Sequence, residues 1–410
     1  MKKLIFFLLG AMSLYAHGQT TMDSYLTHAA EHNPGLKAKF NDYLAAMEQI
    51  PQSTALPDPQ ITFGLFILPV ETRVGPQRAT LAVNQAFPWF GTLRAQGDAA
   101  TKMAEARLFA FENAKLKLYR DVKIKYNELY FLKQSILLTQ ENLKLLSSFK
   151  ELARVNFESG KTGFVSILRV EMEEKELTAR LASLQDAIAT ATTEFENLLN
   201  VPLKDPISFP DRLALAEIDQ NRQSLYDSIM AFNSELQELQ TLLEGKELQL
   251  RVATLMGKPT LTVGAGYINV AERSGIDIPE NGRDALLLPQ LGMRLPIAQK
   301  KYKAMQKQVA IEKEGFQFRI EDQKNQLSSE LERLLQAQKD AQRRLDLYHN
   351  LYDLAERSLS LLQTEFTTGE ADFEELLRME RKFLTYQLAI QKASVDNNNA
   401  VFSINYLIGK

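Results

Sequence analysis

The sequence predicts a mainly α-helical chain with a small β part: long antiparallel coiled-coil helices and four short strands. Three observations carry this. Proline avoids two long stretches, four short runs alternate with period two, and the whole pattern is written twice in 410 residues.

The 14 prolines cluster between Pro34 and Pro88, between Pro202 and Pro210, and between Pro259 and Pro296. Proline breaks helix interiors, so the stretches after Pro88 and after Pro296 are free to be very long helices. In the first, Leu118, Val122, Tyr126, Leu129, Leu132 and Ile136 recur at spacings of three and four, and Leu143, Leu146, Phe149 and Leu152 continue the stripe. That spacing is amphipathic helix with coiled-coil character. Each stretch has one break, Ser159-Gly160-Lys161-Thr162-Gly163 and Thr367-Thr368-Gly369-Glu370-Ala371. Glycine after a helical run marks a C-cap, so each stretch reads as a helical hairpin. The long arms are 92–159 and 298–367; the return arms are 165–200 and 374–407. At ~1.5 Å per residue a long arm reaches roughly 100 Å. A typical helix has about a dozen residues, so these arms span something.

Internal repetition accounts for the rest of the layout. Phe157 to Phe164, followed by Ile167-Leu168-Arg169-Val170-Glu171, matches Phe366 to Phe373, followed by Leu376-Leu377-Arg378-Met379-Glu380, at a constant offset of 209 (157 to 366). Pro88 falls opposite Pro296, and Pro59 opposite Pro259. The chain therefore reads as a first repeat over 19–201, a joint over 202–224 and a second repeat over 225–410.

Each repeat carries a strand pair, 59–88 and 259–296. Ile61, Phe63, Leu65 and Ile67 alternate with mostly small or polar residues (Gln60, Thr62, Gly64 and Phe66), as do Leu81, Val83 and Phe87 after the turn at Gly75-Pro76. Leu261, Val263, Ala265 and Tyr267, then Leu287, Leu291, Met293 and Leu295, repeat the pattern. Runs of about ten residues match a tilted strand crossing a bilayer, large residues toward lipid and small ones toward a wet lumen. Four strands cannot close a barrel, and an open edge cannot face lipid. Three copies would supply twelve strands, an even number in the permitted range.

The N-terminus reads as a secretory signal over residues 1–18. Lys2 and Lys3 precede the apolar stretch Leu4–Leu14, and Ala16-His17-Gly18 offers a small-x-small cleavage site. Its removal takes the net charge from -3 to about -5. The chain has no cysteine, hence no disulfide and no lipid-attachment cysteine. No later run of apolar residues is long enough for a transmembrane helix. Nothing in the charge balance points to nucleic acid. Enzymatic patterns are missing too. His28 and His32 share one helix face, but the glutamate between them, Glu31, is not at the place the H-E-x-x-H zinc-protease pattern needs and no third ligand is evident, so with His349 they read as surface histidines. Gly264-x-Gly266 sits inside a strand rather than before a helix, so it is not a nucleotide loop. No catalytic residue, metal site or cofactor is expected.

The order helix, strand pair, long helix, turn, shorter helix, repeated twice, resembles the TolC-like outer-membrane efflux family. The residues that carry the resemblance are Asn33-Pro34-Gly35-Leu36, Pro57-Asp58-Pro59 before the first strand, Pro88-Trp89-Phe90-Gly91-Thr92 after the second, and Phe366-x-x-Gly369-x-x-x-Phe373-x-x-Leu376-Leu377 with its twin at Phe157. The resemblance implies a homotrimer sharing a 12-stranded β-barrel in the outer membrane of a Gram-negative cell, with a helical barrel reaching into the periplasm and a mixed equatorial belt near the joint. It also implies docking to a periplasmic adaptor (membrane fusion protein) and an inner-membrane pump of the RND type, for passive export of small molecules or metal ions. The stretch Leu295-Pro296-Ile297 leading to Lys300-Lys301-Tyr302-Lys303 is similar to ducts that serve heavy-metal or cation pumps; drug efflux and type I secretion are the alternatives within the class. Outside it, the competing readings are an exported coiled-coil stalk and the adaptor itself.

By the same resemblance the two inter-helix turns form the periplasmic tip that meets the adaptor: Gly160, Lys161, Thr162, Gly163 and Phe164, and Gly369, Glu370, Ala371, Asp372 and Phe373. Phe164 and Phe373 either anchor a partner or pack against their own hairpins. Glu370, Asp372, Glu374 and Glu375 in three copies would form a carboxylate ring, or they are first-turn acids favoured by the helix dipole.

Overall fold

The computed structural model describes residues 22–202, 206–275, 277–368 and 372–410. The expected leader at 1–18, and Gly369, Glu370 and Ala371, lie outside them. The elements run α1 Met22–His32, α2 Pro34–Met47, α3 Gln49–Thr54, β1 Gln60–Thr72, β2 Gly75–Phe87, α4 Thr92–Glu158 and α5 Val165–Leu199. Then follow α6 Arg222–Phe232, α7 Ser234–Leu255, β3 Thr260–Val270, β4 Ala285–Arg294, α8 Gln299–Thr368 and α9 Phe373–Leu407. The proline-free stretches are thus unbroken helices of 67 and 70 residues, each returning through a helix of 35. Among the described residues no helix is long and apolar enough to cross a membrane.

The helical segments before β1 and before β3 are each broken rather than single. Pro34 lacks the amide that would continue α1, and the chain restarts as α2. In the second repeat Asn233 makes the break, its side chain accepting from Leu236 N at 3.0 Å as the N-cap of α7. Both breaks are tied to the end of the same repeat. Asn33 donates to the Leu198 carbonyl at 3.0 Å, and Asn233 donates to the Leu407 carbonyl at 3.0 Å. Left-handed residues close both return helices, Asn200 at φ 55 and Gly409 at φ 78. A Cβ on Gly409 would lie 2.7 Å from the Phe232 carbonyl oxygen, so this turn requires glycine on two counts.

Chain contacts divide the protein into two interleaved units. One gathers the N-terminal residues to Pro34, Leu116–Asp219 and Glu332–Tyr406. Its main core joins Leu146, Phe149 and Ala153 of α4, Val170 and Leu177 of α5, Leu359 and Phe366 of α8, and Phe373, Leu376 and Leu384 of α9. Each full burial of such a side chain contributes about 1.5–3 kcal/mol. Residues 206–219 of this unit form no helix or strand. They are strapped down by polar side chains: Asn397 and Asn398 donate to the carbonyls of Ala216 and Ala214, Asn398 accepts from Ala216 N, and Tyr126 donates to the Ser208 carbonyl.

The other unit gathers Gly35–Lys115, Gln220–Leu331 and Leu407–Lys410. It holds the sheet, of order β1-β2-β3-β4, antiparallel throughout. Ion pairs fasten the helices of this unit: Lys102 to Glu244, Lys246 to Glu312 and Lys313 to Glu247.

Candidate functional sites

The sheet has one apolar face, and that face is bare. Register places Phe63, Leu81 and Tyr267 in one row across three strands, Ile61 and Val83 in the next, and Val263 beside Leu291 in another. Ile61, Phe63 and Leu65 are each about two-thirds exposed, and Leu291 is 79% exposed. A soluble sheet would cover such a face, since a contiguous apolar patch in water is unfavourable. The opposite face carries Gly64, Thr80, Ala82, Asn84, Thr262, Gly264, Gly266, Gln290 and Gly292. Its glycines make room for polar side chains: a Cβ on Gly264 would meet the Asn84 amide at 2.2 Å, and one on Gly266 would meet the Gln290 amide at 2.9 Å.

Strict alternation fails in three places, one of them in β2, which carries one extra residue against β3 between Gln77 and Ala79. β1 bulges between Leu65 and Val70, leaving Ile67 and Leu68 almost fully exposed. In β4, Gly264 pairs with Gln290 but Gly266 pairs with Leu287, so β4 carries one extra residue. An odd insertion reverses the faces beyond it. Leu286, not Leu287, therefore shares the apolar face with its partner Tyr267, which corrects the expected alternation. At the loop end of the sheet the groups are polar: Asp284 accepts from Tyr267, Asn269 and Val270 N, and Arg273 pairs with Glu71 at 3.0 Å.

β1 and β4 each have one unpaired edge within the chain. In water such edges can be solvated. In hydrocarbon each unpaired N–H or C=O costs several kcal/mol, on the order of the full transfer penalty. In a bilayer, an apolar face with two open edges would need another chain to complete the sheet.

At the turn after α4, Gly160 sits at φ 71. Its N–H donates to the Phe157 carbonyl at 3.0 Å, and Lys161 N–H donates to the Asn156 carbonyl at 2.8 Å. This is a Schellman cap, and the left-handed residue is the glycine the sequence placed there. Phe164 is 52% exposed, its ring 5.6 Å from that of Phe157. Phe373 is different: it is buried, with its ring 4.8 Å from that of Phe366 in the core. The two equivalent phenylalanines thus split, one on the surface and one packed.

The acids of the second turn are engaged locally. Asp372 accepts from Glu374 N at 3.1 Å as the N-cap of α9. Glu374 pairs with Arg169 at 2.8 Å, and Glu375 with Arg378 at 2.9 Å. These three are thus engaged by a cap, a cross-helix pair and a pair within α9. The Arg169–Glu374 pair joins the start of α5 to the start of α9.

The His28 and His32 rings stack at 4.0 Å, and His32 Nδ1 lies 3.0 Å from the His28 carbonyl oxygen. His28 is half-buried rather than on the surface, while His349 is exposed. Among the described residues no group of three His, Cys, Asp or Glu side chains could hold a metal ion. Sequence reasoning missed the asparagine clamps. Their signal was Asn397-Asn398-Asn399, an uncommon polar run inside a helix.

Against known proteins, residues 26–201 match the sequence model of the outer membrane efflux protein family. No curated protein matches the sequence. The fold is that of solved outer-membrane channels. The chain is 14% identical to CusC, a structure described in terms of transmembrane channel formation, with a TM-score of 0.81 over 97% of this chain and 95% of that one. It is 16% identical to the outer-membrane channel OprN, with a TM-score of 0.79 over 95% and 89%. It is also 16% identical to the outer membrane protein VceC of Vibrio cholerae, with a TM-score of 0.76 over 95% and 96%.

Proposed function

We infer that this chain, with the TolC-like channel fold throughout and the outer membrane efflux protein signature over 26–201, is one protomer of a trimeric exit duct. The observation that carries this is the four-stranded sheet, bare and apolar on one face and open at both edges. Three such sheets joined β4 to β1 close a ring of twelve strands and leave no edge in lipid. The apolar face then meets outer-membrane lipid, and the glycine- and amide-rich face lines a wet lumen.

The duct works as a conduit rather than a catalyst. Energy comes from an inner-membrane pump, and a periplasmic adaptor joins pump to duct. The exposed part of the tip, Gly160 to Phe164, is the surface for the adaptor; Phe373 and Asp372 hold the tip's shape instead. The stretch Leu295 to Lys303 favours a heavy-metal or cation pump as the partner.

Planar-bilayer recording on the purified full-length protein tests this. Discrete conductance steps of one size support the duct. A protein that extracts into detergent-free buffer and conducts nothing returns the chain to the coiled-coil stalk.

A further inference from the structure

One carboxyl in the tip core has no partner. Glu380 lies on α9 within one turn of Leu376, Leu377 and Leu384, all core residues, and is itself wholly buried. Both of its oxygens lack a hydrogen-bond donor, as does Oδ1 of buried Asn142 on α4. Asn142 is near enough to act on the carboxyl but is not placed to bond it well.

The first repeat handles the same position differently. Glu171 stands 209 residues before Glu380, the offset that aligns Phe157 with Phe366. Glu171 pairs with Lys150 on α4 at 3.2 Å. The residue at the place of Lys150 in the second repeat is Leu359, and it is buried in the core. One repeat keeps a lysine for its glutamate; the other has a leucine. A carboxyl enclosed by apolar side chains is satisfied by a proton, which neutralises it without needing space.

The surrounding charges do not supply a counterion. From α5 comes Glu173, itself largely buried and pushed up by burial, which pairs with Arg381 at 3.6 Å. Arg381, next to Glu380 on α9, is thereby shared. On α4, Lys150 is taken by Glu171 and Glu174. Among the described residues, the charged groups that act on Glu380 are Glu173 and Arg381, with none from α8. Burial is the dominant influence and pushes the carboxyl up to about 7; Glu173 adds to this, while Asn142 and Arg381 oppose it.

We propose that Glu380 is a proton-operated latch of the tip bundle, packed when neutral and loosening α5 and α9 from α4 and α8 when ionised. A carboxyl whose value is raised on packing makes the packed state bind its proton more tightly than the loosened state. The packing it permits is present in acid and is lost as pH rises from the ordinary carboxyl value through about 7. If loosening restores the ordinary value, the ratio of loosened to packed bundle rises about tenfold between pH 6 and pH 8.

Hydrogen exchange on the purified full-length protein reads this without any need for conductance, so it is decided even if the chain forms no channel. After correction for intrinsic exchange, amides of 165–177 and 373–388 in the wild type should lose protection about tenfold from pH 6 to pH 8. Those of α7, remote from Glu380 in sequence and in the other unit, should not change. E380Q keeps the shape and removes the titration, so its profile should be flat and protected at both pH values. L359K restores the lysine of the first repeat and should flatten the profile by pairing the ionised carboxylate; it also decides the matter should E380Q fail to fold. A wild type with no pH step, or an unchanged step in E380Q or L359K, overturns the latch.

Discussion

Replacing Leu291 with arginine separates a lipid-facing sheet from an ordinary two-sided one. Leu291 is 79% exposed in the single chain and lies in register with Val263 on the apolar face. In water such a site tolerates arginine, with a change within about 0.5 kcal/mol. In a bilayer, arginine on the lipid face near the midplane costs about 2–4 kcal/mol, and three copies make that roughly 6–12 kcal/mol per assembly. The control is the preceding residue. Gln290 faces the other way, its amide lying over Gly266, so Q290R puts the same charge toward the lumen. The assay is the fraction of each variant that resists urea extraction from outer membranes and runs as an unheated oligomer. L291R should lose more than nine-tenths of that fraction and Q290R should match the wild type. Equal yields for the two variants would refute the assignment of faces, and with it the lipid contact.

Three further outcomes are expected. N233A removes the α7 cap and leaves the Leu407 carbonyl without its donor, which together cost about 2–4 kcal/mol; N221A removes only an exposed cap of α6 and should cost about 1 kcal/mol, so their denaturation midpoints should rank accordingly. F373A empties a buried site and should lower thermal stability by about 3–5 kcal/mol, whereas F164A should leave stability nearly unchanged and weaken adaptor binding in a pull-down. G160V forces a branched side chain into the left-handed region at a cost on the order of 1–2 kcal/mol, read as faster proteolysis at 156–164, while G163A meets no atom and should be silent.

Much of the fold was legible because proline and glycine act locally. The absence of proline after Pro88 and Pro296 marked the long helices, and Gly160 marked the end of α4 to within a residue or two. Period two marked the strands and their apolar face. What was not legible depends on pairing between distant segments. The β4 bulge is set by where β3 meets β4, so Leu286 and Leu287 could not be sorted from β4 alone. Phe164 and Phe373 occupy the same place in the repeat pattern, yet only Phe373 finds Phe366 and the α9 leucines around it. In the sequence Glu380 is one more acid on a helix; only packing reveals that it is wholly buried with both oxygens lacking a hydrogen-bond donor, while the repeat offset puts Leu359 where the first repeat has Lys150.

The shared barrel is tested most directly at its seams. The chain contains no cysteine, so one cysteine placed on the free edge of β1 and one on the free edge of β4 report only on each other. Scanned in register and oxidised in the outer membrane, the pair that meets should link β4 of one copy to β1 of the next and close a ring. The account predicts a covalent trimer as the limiting species on a denaturing gel, collapsing to monomer on reduction. Cross-links confined to one chain, or a ladder that runs past three copies, would contradict it.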